Sequence, residues 1–242
     1  MKIFTKVINS VREFLLSALY PNTCISCGEI IPEGNFLCKS CKKSIEIINP
    51  KKRCIKCGFE KQNCLCSTRV YRFEGIVSLY ENTGIAQRAY YKYKLFHKKH
   101  YGKFFAEEMA KAIKNELSHI DFDGICYVPT SARSIMGRGF DHTKELCLGV
   151  SDLTGIKMLD EVLFCRNFKP SQHNSSFDER IRNVDGKYGI KRKIKAENIL
   201  LLDDIRTSGA TLDECARQLL KAGADKVYCI TVLAQKRRAL KK

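Results

Sequence analysis

Eight of the 13 cysteines lie between residues 24 and 66, and their spacing limits how this part of the chain folds more than any other feature does. They form two sets of four. The first set has two C-x-x-C pairs, and the second has one C-x-x-C pair and one C-x-C pair. The members are Cys24, Cys27, Cys38 and Cys41 in the first set, and Cys54, Cys57, Cys64 and Cys66 in the second. Two pairs on tight turns direct four sulfurs at one point, which predicts tetrahedral zinc.

Bound zinc would supply the stability of this segment, because residues 24–66 hold too few large apolar side chains to fold by burial alone. Gly28 and Gly58 each follow a C-x-x-C pair, where a positive φ is easily accommodated. Four thiolates leave no open coordination position, so the metal would be structural rather than catalytic. The C-x-C departure in the second set leaves one and two zinc ions as alternatives. Cysteines used for metal indicate a reducing, cytoplasmic compartment.

Residues 198–211, NILLLDDIRTSGAT, form the second informative stretch. The apolar run 199–202 predicts a strand buried on both faces, and the pattern after the small residues predicts a helix. Free N–H groups at a helix start, small residues and hydroxyl side chains favour a bound phosphate. On this chemistry alone, an ordinary strand-to-helix turn with a capping Ser or Thr is an equal alternative.

The motif DDIRTSGAT after an apolar strand resembles the phosphoribosyl pyrophosphate (PRPP) loop of type I phosphoribosyltransferases. The resemblance implies that Asp203 and Asp204 contact the ribose hydroxyls, and carboxylate oxygens also suit a Mg²⁺ ion that accompanies PRPP. It further implies that the turn holds the 5′-phosphate through Arg206, Thr207, Ser208, Gly209, Ala210 and Thr211.

A second apolar run, residues 125–128, ends at Pro129 and leads into a loop with basic residues and glycines. Such a loop after a buried strand suits a second phosphate group, and a plain surface turn is the alternative. Further phosphate contacts are predicted, with weaker support, in this loop and in a polar, hydroxyl-rich segment after residue 164. These candidates are Arg138, Arg166, Gln172 and Arg180.

A double cysteine ribbon followed by a PRPP loop resembles the ComF family, and the resemblance extends over nearly the whole chain. It implies a pyrophosphate-binding loop at Thr130, Ser131, Ala132 and Arg133. It also matches residues 138–140 to the Arg-Gly-Phe element of that family. This chain has Asp141 and His142 where many relatives have Asn-Gln, so no role is assigned to these two residues.

The predicted fold class is α/β: a type I phosphoribosyltransferase-like parallel sheet flanked by helices, preceded by a small zinc-ribbon domain. We expect an amphipathic helix over residues 1–20, the double zinc ribbon over 21–68 and the phosphoribosyltransferase-like domain over 69–242. No stretch approaches the roughly 18 consecutive apolar residues that span a bilayer. Stable membrane insertion is therefore not expected.

Basic residues alternate with aromatic ones over residues 91–103. Such a stretch binds single-stranded nucleic acid when the aromatic rings stack on bases and the lysines neutralise phosphates. The favoured alternative is a solvated helix and loop whose aromatic side chains face the core.

The formal net charge of +17 indicates a polyanionic partner. The resemblance implies a PRPP-binding, phosphoribosyltransferase-like protein that acts in DNA uptake during natural transformation, with single-stranded DNA and competence proteins as partners. A true phosphoribosyltransferase of nucleotide salvage or synthesis is one alternative, and a PRPP-sensing regulator without chemistry is another. No residue stands out as a general base, so catalytic turnover is left open.

Overall fold

The computed structural model describes residues 21–64, 66–166, 184 and 186–235. The predicted helix over residues 1–20, together with Gln172 and Arg180, lies outside these ranges. The chain divides into two compact units, Met1–Ile45 and Glu46–Lys242. The first cysteine set belongs to the first unit, whereas the second set belongs to the same unit as the sheet.

The first unit is built around its cysteines. Thr23 and Ile30 form an antiparallel bridge that closes the turn of the first C-x-x-C pair. A short helix, α1 (Lys39–Ser44), begins after Cys38, whose sulfur accepts a hydrogen bond from the Cys41 N–H at 3.4 Å. In its described residues, backbone hydrogen bonds around the cysteines therefore organise this unit.

A four-stranded parallel sheet forms the centre of the second unit. Its strands are β1 (Gly75–Glu81), β2 (Gly124–Tyr127), β5 (Ala196–Arg206) and β6 (Ala224–Ala234), in the order β1-β6-β5-β2. A separate antiparallel pair joins β3 (Leu163–Cys165) to β4 (Tyr188–Ile190). The predicted parallel sheet flanked by helices is confirmed.

Strand β5 is the predicted buried strand, and it is longer than the sequence indicates. The four side chains of residues 199–202 are fully buried, as expected for a strand covered on both faces. Pairing with β6 continues as far as Arg206, opposite Ala234, so β5 includes both acids instead of ending before them. The acids are therefore held by a paired, rigid backbone.

Among the described residues, the second unit has five α-helices, besides the short 3-10 helices Pro50–Lys52 and Lys61–Asn63. The α-helices are α2 (Gly84–Phe96), α3 (Lys99–Glu116), α4 (Ala132–Arg138), α5 (His142–Thr154) and α6 (Ala210–Ala222). Asp141 caps α5 by accepting hydrogen bonds from the N–H groups of Thr143 and Lys144. Helices α4 and α6 begin just after β2 and β5, so their first turns lie at the carboxyl edge of the sheet.

The basic, aromatic stretch over residues 91–103 agrees in part with each of its two interpretations, a nucleic-acid-binding surface and a helix whose aromatic side chains face the core. Tyr93 is buried, and its hydroxyl donates a hydrogen bond to the carbonyl of His142 at 2.7 Å. Phe96, at the end of α2, is 69% exposed. One aromatic side chain is thus a core residue, while the other leaves a ring on the surface.

The second cysteine set shares its apolar core with the sheet. Cys57, Phe59 and Phe73 are buried in the same cluster as Leu201 of β5 and Leu219 of α6. The segment around this set therefore folds against the sheet. Within the described part of the chain, no helix has the length and apolarity needed to cross a bilayer.

Candidate functional site

A cavity of about 280 Å³ opens where β2 and β5 end. Loops at the carboxyl edge of a parallel sheet are the usual place for a ligand. The acidic pair at the end of β5, the loop after β2 and the start of α6 all contribute to its wall. Lining side chains that bear charge or a hydroxyl include Lys94, Thr130, Ser131, Arg138, His142, Lys187, Asp203, Asp204 and Thr211.

The two acids of β5 lie in a dense polar environment. Asp204 Oδ2 accepts a hydrogen bond from Lys94 Nζ at 2.5 Å and lies 3.0 Å from His142 Nε2. The His142 side chain is only 4% exposed. Lys94 comes from the last turn of α2, and His142 is the first residue of α5. One carboxylate oxygen therefore connects two helices to the end of the central strand.

The two carboxyl groups have opposite pKa shifts. Burial by itself raises the pKa of Asp204, but the hydrogen bond from His142 and the charge of Lys94 outweigh it and lower that pKa below the ordinary value. Burial and the neighbouring charge of Asp204 raise the pKa of Asp203 well above the ordinary value. Ionisation of Asp204 is thus favoured over ionisation of Asp203.

The turn after β5 leads into α6 through a glycine in the left-handed conformation. Gly209 has φ of +79° and precedes α6, and the Ser208 hydroxyl oxygen accepts a hydrogen bond from the N–H of Ala210 at 3.3 Å. A Cβ atom on Gly209 would lie 3.3 Å from Cε1 of Tyr71, so this position is both left-handed and closely packed. Thr211 lines the cavity from the first turn of α6.

Part of the predicted pyrophosphate loop lines the same cavity. Thr130 donates a hydrogen bond to Asp141 Oδ1 at 3.1 Å, and Ser131 caps α4. Arg138 ends α4, and its buried Nε and Nη2 atoms have no hydrogen-bond partner among the described residues. Ala132 and Arg133 are exposed in the first turn of α4, away from the cavity wall.

Two of the predicted phosphate contacts point elsewhere. The Arg206 side chain is 3% exposed and lines a separate cavity of about 290 Å³, where its Nη2 donates to the carbonyl of Gly58 at 3.2 Å. Burial lowers its pKa to about 10. Arg166 follows β3, and its guanidinium lies 5.9 Å from the centre of the Phe164 ring. The cavity with the acidic pair includes neither side chain in its wall.

Sequence reasoning missed two residues that contact the acidic pair. Lys94 belongs to the stretch that we interpreted as a solvated helix and loop or a nucleic-acid surface. His142 was noted as a departure from the ComF pattern but received no role. Their separations from Asp204, 110 and 62 residues, explain why local patterns do not reveal these contacts.

The chemistry of the acidic pair also bears on the predicted Mg²⁺. Carboxylate oxygens are the hard ligands that this ion prefers. Since Lys94 and His142 already contact Oδ2 of Asp204, a Mg²⁺ ion would be held by its Oδ1 and by the Asp203 carboxyl group, from which the ion would displace any proton. The donor set therefore fits a Mg²⁺ ion that brings its own phosphate oxygens.

Both cysteine sets have the geometry of a zinc site. In each set the four Sγ atoms all lie within 4.8 Å of one another. The Sγ atoms of Cys27 and Cys38 are 3.8 Å apart, and those of Cys54 and Cys66 are also 3.8 Å apart. A tetrahedron with Zn–S bonds of about 2.3 Å has edges of about 3.8 Å. The predicted structural zinc is therefore supported, and the set with the C-x-C pair has sulfur–sulfur distances as suitable for zinc as those of the first set.

The two C-x-x-C turns are also alike in their backbones. Gly28 and Gly58 have φ of +85° and +70°, as the sequence predicts. Burial raises the pKa of the leading thiols, but hydrogen bonds from backbone N–H groups outweigh it and lower the pKa of Cys24 to about 6 and of Cys54 to about 7. Each turn thus favours the thiolate form that binds metal.

The second set predicts a measurable metal content. We expect two zinc ions per chain in the reduced protein, and about one after Cys64→Ser with Cys66→Ser, because two remaining thiolates hold zinc poorly. Inductively coupled plasma mass spectrometry after dialysis against a chelator measures both values. Cys165→Ser, outside both sets, is the control and should retain two. One zinc in the unmodified chain would contradict a metal site in the second set.

The pairing of Lys94 with Asp204 predicts a coupled effect on stability. Lys94→Met should lower the free energy of unfolding by about 3 kcal/mol, because a buried carboxylate loses its cation. Adding Asp204→Asn should recover part of that loss, since the remaining group is neutral. Urea unfolding of the two single variants and the double variant measures the coupling. Strictly additive losses would contradict a direct interaction.

The family model described as "Double zinc ribbon domain" matches residues 15–69. Relatives named DNA utilization protein YhgH match over 110 residues, with 27% identity in Salmonella typhi and 28% in Escherichia coli strain K12. These matches cover 45% of this chain and 48% of each relative, so the chain spans about half the length of the curated relatives it matches.

Two solved phosphoribosyltransferases match parts of this chain at low sequence identity. A purine phosphoribosyltransferase from Pyrococcus horikoshii is 15% identical with a TM-score of 0.35, over 57% of this chain and 95% of that one. A hypoxanthine phosphoribosyltransferase from Trypanosoma cruzi is 11% identical with a TM-score of 0.35, over 58% and 71%. The ribbon match and the YhgH relatives support the predicted ComF-like arrangement of a zinc ribbon and a phosphoribosyltransferase-like domain.

Proposed function

We propose that this protein binds PRPP with Mg²⁺ in the cavity at the ends of β2 and β5, and that it acts as a ComF-type, phosphoribosyltransferase-like protein. One observation carries the proposal. A buried acidic pair, Thr211 from the first turn of α6 and a hydroxyl-bearing loop with the unpartnered Nε and Nη2 atoms of Arg138 line a single cavity, and the left-handed Gly209 immediately precedes that turn. These groups match, in turn, a ribose, its 5′-phosphate and its pyrophosphate.

The acidic pair suits the ribose hydroxyls. Ionised Asp204 accepts hydrogen bonds from hydroxyl groups, while the raised pKa of Asp203 leaves a carboxyl proton that can be donated. The 5′-phosphate would lie in the turn of residues 207–211, against the free N–H groups and the positive dipole end of α6.

The charge balance of the cavity suits a polyanion. Lys94, Arg138 and Lys187 contribute positive charge to its wall, and Asp204 contributes one negative charge. The pyrophosphate would lie against Thr130 and Ser131, where the free donors of Arg138 are available. Mg²⁺ would supply further positive charge there and stabilise departing pyrophosphate if transfer takes place.

The proposal extends to single-stranded DNA in a cytoplasmic DNA-uptake process, with competence proteins as partners. The net charge of +17 and the name of the YhgH relatives support this part. The exposed ring of Phe96 is two residues from Lys94, which lines the cavity. The ring of Phe96 would offer a base a stacking surface at the end of α2, on a different side of the helix from Lys94 because residues two apart do not face each other.

Calorimetric titration with PRPP and Mg²⁺ tests the ligand site. Asp203→Asn with Asp204→Asn should weaken binding about tenfold to a hundredfold, because charge-assisted hydrogen bonds to the ribose are worth about 1.5–3 kcal/mol. Asp152→Asn, an exposed acid on α5, is the control and should bind as the unmodified chain does. Equal affinity in all three proteins would exclude the acidic pair from the site.

Pyrophosphate release in the same samples separates a transferase from a sensor. Bases, nucleotides and single-stranded DNA are offered as acceptors. Steady release that depends on one acceptor identifies a phosphoribosyltransferase reaction. Binding without release under every acceptor favours the PRPP-sensing regulator.

Fluorescence anisotropy with a labelled oligonucleotide tests the DNA contact. Affinity should fall as salt rises, because lysines that neutralise phosphates release counterions. Phe96→Ala should weaken binding by about 1–3 kcal/mol through loss of one stacked base. Leu148→Ala, an exposed apolar residue of α5, is the matched control. Salt-independent binding, or equal effects of the two substitutions, would contradict the proposed contact.

A further inference from the structure

The segment that contains the second cysteine set, together with the residues just after it, contacts the proposed phosphate loop after β5. We propose that metal occupancy of this set and PRPP binding are thermodynamically coupled, with Arg206 as the positioning residue that connects them. The inference rests on the proposed PRPP site and concerns how the affinity of that site is set.

Arg206 is the direct connection. It ends β5 immediately before the loop, yet its guanidinium lies under the second cysteine set, 3.9 Å from the centre of the Phe59 ring. Its Nη2 donates to the Gly58 carbonyl at 3.2 Å, and the side chain is 3% exposed. A buried guanidinium needs these partners, because burying an unpaired charge is costly. The position of Arg206 therefore depends on residues 58 and 59.

The metal site fixes those same two residues. The Gly58 N–H donates to the Cys54 carbonyl at 2.8 Å, and the Cys54 N–H donates to the Phe59 carbonyl at 2.7 Å. This is the turn that directs Cys54 and Cys57 at one point. Zinc holds both sulfurs at bonding distance and so restrains the turn. Without metal, the Gly58 carbonyl and the Phe59 ring lose that restraint.

Two more arginines extend the support along the loop. Arg69 Nη1 donates to the carbonyl of Ser208 at 3.3 Å. Arg72 donates from its backbone N–H and from Nη1 to the carboxylate of Asp213, at 2.7 and 2.8 Å, in the first turn of α6. Tyr71 packs where a side chain on Gly209 would stand. The loop is thus contacted at its start, middle and end by residues 58–72.

The charges agree with this connection. Four thiolates and one zinc ion carry a net charge of −2, and Arg206 is a buried cation beside Cys57 and Phe59. Loss of the metal changes both the local charge and the turn that Arg206 contacts. Displacement of Arg206 then shifts Thr207, its direct neighbour in the phosphate loop.

Coupling between two binding sites is reciprocal. If zinc in the second set tightens PRPP binding by some factor, PRPP must tighten zinc binding by the same factor. A support that merely keeps the protein folded does not require PRPP to change zinc affinity. Reciprocity therefore gives a readout that distinguishes positioning from general stability.

The experiment measures zinc transfer from the full chain to a chromophoric chelator, with and without Mg²⁺ and PRPP. Cys24→Ser with Cys27→Ser removes two ligands of the first set, so the second set supplies the signal. We expect saturating PRPP to raise the apparent zinc affinity about fivefold or more, within the usual range of allosteric coupling. Asp203→Asn with Asp204→Asn, at the same PRPP concentration, controls for zinc that PRPP itself binds.

Variants at Arg206 test the proposed route. Arg206→Met should abolish the PRPP effect on zinc, and Arg206→Lys should restore part of it because the positive charge is retained. Arg192→Met is the matched control: Arg192 is an exposed arginine bound to the Asp160 carbonyl, and its substitution should leave the coupling intact. Circular dichroism identifies a variant that fails to fold. In that case Arg69→Met is used instead; it removes the hydrogen bond to Ser208 together with the contacts of Arg69 to Asp213 and Tyr71, and reduced coupling is expected.

The outcomes separate this inference from the proposed function. PRPP binding by calorimetry with an unchanged zinc affinity overturns the coupling and leaves the PRPP site intact. Coupling that survives in Arg206→Met overturns the route through Arg206. Absence of PRPP binding to the unmodified protein overturns both proposals.

Discussion

The charge on Asp204 is the interaction on which the site depends. A carboxylate in this buried position stays ionised because Lys94 and His142 both contact its Oδ2 atom. Removing a partner from a buried ion pair costs several kcal/mol, so the end of α2, the start of α5 and the end of β5 are fixed relative to one another. The same charge raises the pKa of Asp203. One ion pair therefore sets the protonation, the shape and the electrostatic balance of the cavity.

The end of β5 also divides two environments. Asp204 contacts Lys94 and His142 at the cavity, whereas Arg206, two residues later, is buried against Gly58 and Phe59. Between them the strand stays paired with β6 up to its last residue. The turn after β5 thus begins from a backbone that pairing with β6 and the packing of Arg206 hold in place.

The sequence predicted those features that depend on residues close together in the chain. The cysteine spacing identified both metal sets, and the positive φ of Gly28 and Gly58 followed from their place after each pair. The apolar run before the acids identified β5, and its burial on both faces is confirmed. The predicted assignments of individual ligand atoms remain predictions.

Long-range contacts were beyond sequence patterns. The Arg206 side chain was predicted to face the phosphate, but its partner Gly58 precedes it by 148 residues and no local signal reveals that pairing. Lys94 and His142 escaped for the same reason. The outward position of Arg133 has a more local cause. Helix α4 begins at Ala132, one residue before Arg133, and the Arg133 side chain is exposed on that helix.

The core that Cys57, Phe59 and Phe73 share with Leu201 and Leu219 has a consequence for the evolution of such chains. Recombination that exchanged both ribbons as a cassette would cut through this core, whereas a crossover near residue 46 would follow the boundary between compact units. The two cysteine sets are therefore constrained differently in evolution. The second set is expected to be inherited together with the sheet, because its replacement would require matching changes in β5 and α6.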